Sequence, residues 1–252
     1  MITRLFRHLR WRLSMWRHIY WPQFWYARQL PARVQSGPFR GMRYLRTATG
    51  SVVLPKLLGS YEQELHPVLE SLTLSAYERC VDAGAAEGYY AVGLCWRWPG
   101  LHMIAFETTR IGRNRLRRLA RLNGVLNRID IRGHCSPEAL QNALAAGGRN
   151  LLVMDVEGYE AVLLDPVAVP LLRQTDILVE LHPETDPGLE QTLSRRLEAS
   201  HRLERIGQQG RNALPEGVVL AGGLQDKVHF AMNEFRGNQF WLVARAKWES
   251  PA

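Results

Sequence analysis

From residue 79 onward the apolar positions alternate between two rhythms, and the alternation predicts an α/β sheet. The segments 80–84, 151–155 and 176–181 are nearly continuous apolar runs, as expected of parallel strands covered on both faces. Segments with helical spacing separate them. The spacing predicts strand 80–84 with helix 87–96, strand 102–107 with helix 112–123, and strand 128–132 with helix 137–146. It then predicts strand 151–155 with a short helix 159–164, and strand 176–182 with helix 188–199. A tail follows with strand 202–206, helix 224–235 and strand 240–246. Such alternation implies a doubly wound, mostly parallel sheet.

The first 60 residues read differently. Ile2, Leu5, Leu9, Leu13, Trp16 and Tyr20 recur every three or four positions and form one apolar stripe. This predicts an amphipathic helix that Pro22 interrupts. Turn signals at Ser36-Gly37-Pro38, Gly41 and Gly50-Ser51 separate short apolar pieces, which suggests a small β element over 36–57. Ser60, with Gln63 three residues on, reads as a capping box that opens a helix. The expected organisation is an arm and small β element over 1–58, then one α/β domain over 59–252.

Charge changes the picture of the arm. The formal net charge is +8, yet no Asp or Glu precedes Glu62, so residues 1–61 carry +11 and the remainder −3. The domain is nearly neutral, and the basic character belongs to the arm. Its arginines interrupt every candidate signal core, and no apolar run reaches the length of a membrane span. A basic helix rich in Trp suits a membrane interface, and its stripe equally suits packing on the domain or on a second copy. Packing or self-association ranks first, the inner membrane surface second and nucleic acid third. The expected compartment is the cytoplasm, since Cys80, Cys95 and Cys135 are an odd, scattered set with no disulfide or zinc spacing.

The chemistry gathers at strand ends. Cys80-Val81-Asp82-Ala83-Gly84 leads into Ala85-Ala86-Glu87-Gly88, a D-x-G-x-x-x-G turn that opens a helix. The following strand ends on an acid, Glu107. Glycines let the backbone pass close to a ligand, and a carboxylate at the next strand end accepts hydrogen bonds from ribose hydroxyls. The turn lacks the G-x-G-x-x-G spacing that sets a helix N-terminus on a pyrophosphate. A cofactor with a ribose and no phosphates, S-adenosyl-L-methionine, therefore suits it better than a dinucleotide. Asp82, Gly84, Ala86, Glu87, Gly88 and Glu107 form the expected cofactor set.

Two further strands end in ionisable residues. Asp155 and Glu157 follow the fourth strand, where they can contact cofactor or acceptor and orient a hydroxyl; the other reading has Asp155 cap a helix whose first turn holds Glu157. Glu180 sits inside an apolar run and needs a partner such as an arginine, or a role in the site. His182 is the candidate general base, since its ordinary pKa lies near neutrality. Asp155, Glu180 and His182 together are a set that a divalent cation accepts, but no compact metal motif supports one and none is expected.

Together VDAGAAEGYYAVGL (81–94), AFE (105–107), MDVEGYE (154–160) and VELHP (179–183) resemble the FkbM-like group of class I S-adenosylmethionine-dependent methyltransferases. The resemblance covers residues 59–185 and, loosely, the last strands; the arm lies outside it. It implies a Rossmann-like sheet of seven strands with the last antiparallel. It also implies methyl transfer to a hydroxyl of a small molecule, sugar or lipid-linked acceptor. In the family pattern an Asn often stands where this chain has Ala86, which removes one polar contact or passes it to Glu87. Two other readings remain: methylation of RNA or protein with help from the basic arm, and a non-catalytic surface or assembly protein on the same fold.

Overall fold

Short apolar strands flanked by amphipathic helices leave few ways to bury both sheet faces, and the computed structural model adopts the doubly wound one. It describes residues 21–72, 77–145, 148–211, 213–216, 218, 232, 234 and 236–247. The helix expected in the first 20 residues lies outside the described residues, as does the one expected over 224–235 apart from residues 232 and 234. The chain divides into two compact units, one of residues 1–63 and 210–235, the other of 64–209 and 236–252.

In the first unit, α1 (Trp21–Gln29) and α2 (Val53–Leu58) are the described helices. Pro22 sits in the first turn of α1, where a missing N–H costs nothing. The β element expected over 36–57 reduces to one antiparallel bridge, Arg33 with Arg43, among turns. Its last residues are helical instead, and α2 ends at Gly59 with φ +80°. A Cβ there would lie 2.0 Å from the carbonyl oxygen of Ser36, so only glycine closes this turn. The side chain of Arg46 donates to the carbonyls of Ala27 and Leu30, satisfying the end of α1.

The second unit begins with α3 (His66–Ser71). The expected helix start at Ser60 does not form. Glu62 takes a left-handed φ of +47°, a 3-10 turn covers Gln63–Leu65, and Leu65 is the N-cap. Pro67 fits the first turn of α3, which sets the start there in place of the capping box.

The sheet then follows in order: β1 (Arg79–Ala83), α4 (Tyr89–Arg97), β2 (Met103–Phe106), α5 (Arg110–Leu122), β3 (Ile129–Arg132), α6 (Pro137–Leu144) and β4 (Asn150–Met154). The run continues with α7 (Glu160–Leu163), β5 (Thr175–Leu181), α8 (Leu189–Leu197), β6 (His201–Ile206) and β7 (Phe240–Ala246). The strands lie in the order β3-β2-β1-β4-β5-β7-β6, and β7 runs antiparallel to both of its neighbours. This is the seven-stranded, Rossmann-like sheet with an antiparallel last strand that the sequence leads one to expect. β1, β4 and β5 are buried almost throughout, which explains their largely apolar sequence.

Helix α5 shows how the layers hold. Leu116, Leu119 and Ala120 are buried, and arginines make up most of the remaining surface, with Ile111, Asn114 and Leu122 exposed among them. Each buried leucine is worth about 1.5–3 kcal/mol. Thr109 caps it by accepting a 3.0 Å hydrogen bond from the Gly112 N–H. Among the described residues no helix is long and apolar enough to cross a membrane.

Candidate active site

The order of strands reverses between β1 and β4, and ligands of open α/β sheets bind beyond the carboxyl ends at such a point. β1 ends at Ala83, whose carbonyl accepts from the Asp155 N–H at 2.9 Å. Gly84 and Ala85 turn the other way and donate to the Phe106 carbonyl at 3.0 and 2.9 Å. The first residues of the turn are thus stitched to strands on both sides. Gly84 has φ +92°, and a Cβ on it would lie 1.6 Å from the Asp155 carbonyl oxygen. Gly88, with φ +98°, closes the turn and is the N-cap of α4.

Glu107 completes this edge. It is 8% exposed, and its carboxylate accepts from the Ala86 N–H at 3.0 Å. The Thr109 N–H and hydroxyl donate to its other oxygen at 2.7 and 2.6 Å. Three donors hold the carboxylate in place, and a carboxylate has room for a fourth. Gly112 permits the fit, since a Cβ there would come within 2.6 Å of the Glu107 carboxyl carbon. Thr109 and Gly112 were not singled out from the sequence; the T-x-x-G spacing after Glu107 is the signal that marks them. Ala86 adopts φ +48°, a region in which Asn and Gly are far more at ease than Ala. Asp82 is buried near the end of β1, and Glu87 is completely buried, at 0% exposed.

On the other side of β1, the segment after β4 bends sharply. Glu157 has φ +53° and Gly158 φ +103°, so Glu157 precedes α7 and is not part of its first turn. That first turn belongs to Glu160, which is fully buried and accepts from the Gly158 N–H at 3.1 Å. Glu160 also accepts from His182 Nδ1 at 2.7 Å. The opposite nitrogen, Nε2, lies 3.6 Å from Asp155 and 3.4 Å from Glu157. Burial by itself lowers the His182 pKa, but the hydrogen bond to Glu160 and the charges of Asp155, Glu180 and Glu160 outweigh it and raise the pKa to about 9.

The structure therefore brings Asp155, Glu157 and His182 together. Glu180 has a different partner. Arg236 donates to it through Nε at 2.9 Å and through a terminal nitrogen, and reaches Glu64 at 2.7 Å with the other. Burial, then the charge of Asp155, push Glu180 up to about 8, against the pull of Arg236 and His182. Glu160 and Arg236 were also missed in the sequence. Glu160 stands in the MDVEGYE segment, where its place at the start of a helix was the available sign.

No family model matches the chain, and no curated protein matches it. Solved structures do. The N-terminal domain of human METTL16 in complex with SAH is 13% identical, with a TM-score of 0.48 over 83% of this chain and 76% of that one. Precorrin-6y C5,15-methyltransferase from Geobacter metallireducens is 15% identical, with a TM-score of 0.43 over 73% of this chain and 87% of that one. Cofactor-bound Rv0187 from MTB is 13% identical, with a TM-score of 0.44 over 69% of this chain and 75% of that one.

Proposed function

We propose that this chain is an S-adenosylmethionine-dependent methyltransferase of the FkbM-like kind, acting on a hydroxyl of a small molecule, sugar or lipid-linked acceptor. The observation that carries the reading is the fixed carboxylate of Glu107, tied to the Ala86 N–H beside a glycine turn at the strand-order reversal. A buried carboxylate with unused acceptor capacity fits a ribose diol, and it disfavours a phosphate through charge. The bound cofactor supplies a methyl group on a sulfonium, already activated by its positive charge.

The residues of the chain then have separable tasks. Glu107 accepts hydrogen bonds from ribose hydroxyls, while the backbone of Gly84–Gly88 gives the close approach. Asp155, Glu157 and His182 lie beyond β4 and β5, on the acceptor side. There Asp155 and Glu157 orient a hydroxyl and give its proton somewhere to go as the oxygen attacks, while His182, raised to about 9 and so charged at neutral pH, positions them in place of the base role the sequence suggested. The Glu180–Arg236–Glu64 network holds the end of β5 in place beneath them.

In this reading the chain works in the cytoplasm, and the basic segment 1–61 reaches a second copy or an anionic membrane surface. Phe24 and Trp25 in α1, about half exposed beside Arg28, favour such a use. The test is transfer of labelled methyl groups to a panel of sugars, lipid-linked sugars, lipids and RNA. Label in an ether of a sugar or small hydroxyl compound supports the reading. Label confined to RNA, or cofactor binding with no acceptor, supports one of the other two.

A further inference from the structure

We infer that Asp155, Glu157 and His182 form a binding site for one divalent first-row cation at the carboxyl ends of β4 and β5. One atom from each lies within 4.8 Å of the others. His182 Nε2 is 3.6 Å from Asp155 Oδ1 and 3.4 Å from Glu157 Oε2. Those separations are long for hydrogen bonds, which lie at about 2.7–3.2 Å. They match ligand atoms that share a cation. With metal–ligand bonds of about 2.0–2.2 Å, neighbouring ligands stand about 2.8–3.1 Å apart in octahedral geometry and about 3.3–3.6 Å apart in tetrahedral geometry.

The second observation is independent of the cluster. Glu160 is 0% exposed, and one of its oxygens accepts from His182 Nδ1 at 2.7 Å. A histidine that donates through Nδ1 to a buried carboxylate presents Nε2 outward and is fixed in angle, and its Nε2 proton leaves as a cation binds. This is the arrangement by which proteins orient an imidazole toward a metal. It needs an expensive feature, a carboxylate sealed in the interior whose second oxygen has no hydrogen bond among the described residues. Solvation of a histidine alone would not require it. The left-handed Glu157 and the following Gly158 are what swing the Glu157 carboxylate to the same point.

One imidazole with two carboxylates suits Mn2+ or Zn2+ better than Ca2+, which prefers an all-oxygen shell. Glu157 has a side chain 73% exposed and Asp155 one 32% exposed, so the remaining coordination positions face outward and are open to an oxygen ligand. From the sequence no metal was expected, and the set that a cation could accept held Glu180 in place of Glu157. The structure gives Glu180 to Arg236 and puts Glu157 in its place. Cation binding stands apart from the methyl-transfer reading; only the assignment of the open position to an acceptor oxygen rests on it.

The experiment titrates the full chain, with no nucleoside present, with Mn2+ by loss of the free-ion EPR signal and with Zn2+ by calorimetry. One cation per chain is expected. Glu157→Gln, an exposed and isosteric change, should weaken binding at least tenfold, and His182→Gln should weaken it further. Glu160→Gln should cost tenfold or more through loosened orientation, with the stoichiometry still one. Absence of saturable binding of either ion to the folded wild type overturns the proposal. So does wild-type affinity in Glu157→Gln, which would place the ion elsewhere. Binding of S-adenosylmethionine is measured in a separate titration, so failure of one reading is distinguishable from failure of the other.

Discussion

The carboxylate of Glu107 accepts a 3.0 Å hydrogen bond from the Ala86 N–H, so the end of β2 and the turn after β1 form one unit. Anything that removes the carboxylate changes both the ribose acceptor and the shape of the turn. Glu107→Ala should therefore weaken binding of S-adenosylmethionine by one to two decades, since a hydrogen bond to a charged group is worth about 1.5–3 kcal/mol. Calorimetric titration of the folded variant measures it. Unchanged affinity would put the ribose elsewhere.

Gly84 has no substitute. Its φ of +92° and the 1.6 Å that would separate a Cβ from the Asp155 carbonyl make Gly84→Ala both strained and overpacked. A loss of about 2–5 kcal/mol is expected from the two effects together. Gly100→Ala is the control, since nothing lies within 4 Å of its Cβ position. Urea unfolding of the two variants should separate them clearly; equal midpoints would contradict the tight turn.

Ala86 is the reverse case. It holds φ +48° at a cost that glycine does not bear, so Ala86→Gly should stabilise the fold by about 1 kcal/mol. For a domain of this size that is a rise of about 2–4 °C in Tm. A fall in Tm would mean that the methyl group is packed more usefully than its backbone is strained.

The thiols should be silent. Burial pushes Cys95 and Cys135 up to about 12, and burial, with the charges of Cys95 and Asp82, raises Cys80 well above its ordinary value. The thiolate is the reactive form, so at pH 8 all three should resist an aromatic disulfide reagent in the native protein. Unfolding in guanidinium should release three reactive thiols. Rapid labelling of native protein would reveal local opening around β1 or α4.

The strands were legible because their apolar runs report burial on both faces, a property local to each run. β7 is found at its expected 240–246, and β5 begins one residue early, at Thr175. Helix starts were less legible. The Ser60 capping box has the right letters, but a left-handed Glu62 and Pro67 move the start to His66. The glycine turn, Glu107 and the acids after β4 were readable because their spacing along the chain fixes them to strand ends. Partnerships were not. His182 meets Glu160 across 22 residues and Arg236 reaches Glu180 across 56, distances over which no periodicity carries information.

The central claim is that the turn between β1 and α4, with Glu107, holds S-adenosylmethionine. Calorimetric titration of the full chain with S-adenosylmethionine and S-adenosylhomocysteine tests it most directly, with NAD as the comparison. The account predicts one-to-one binding of both nucleosides, weakened in Glu107→Ala, and no measurable heat with NAD. Binding of NAD in preference, or no nucleoside binding by the folded protein, would contradict it.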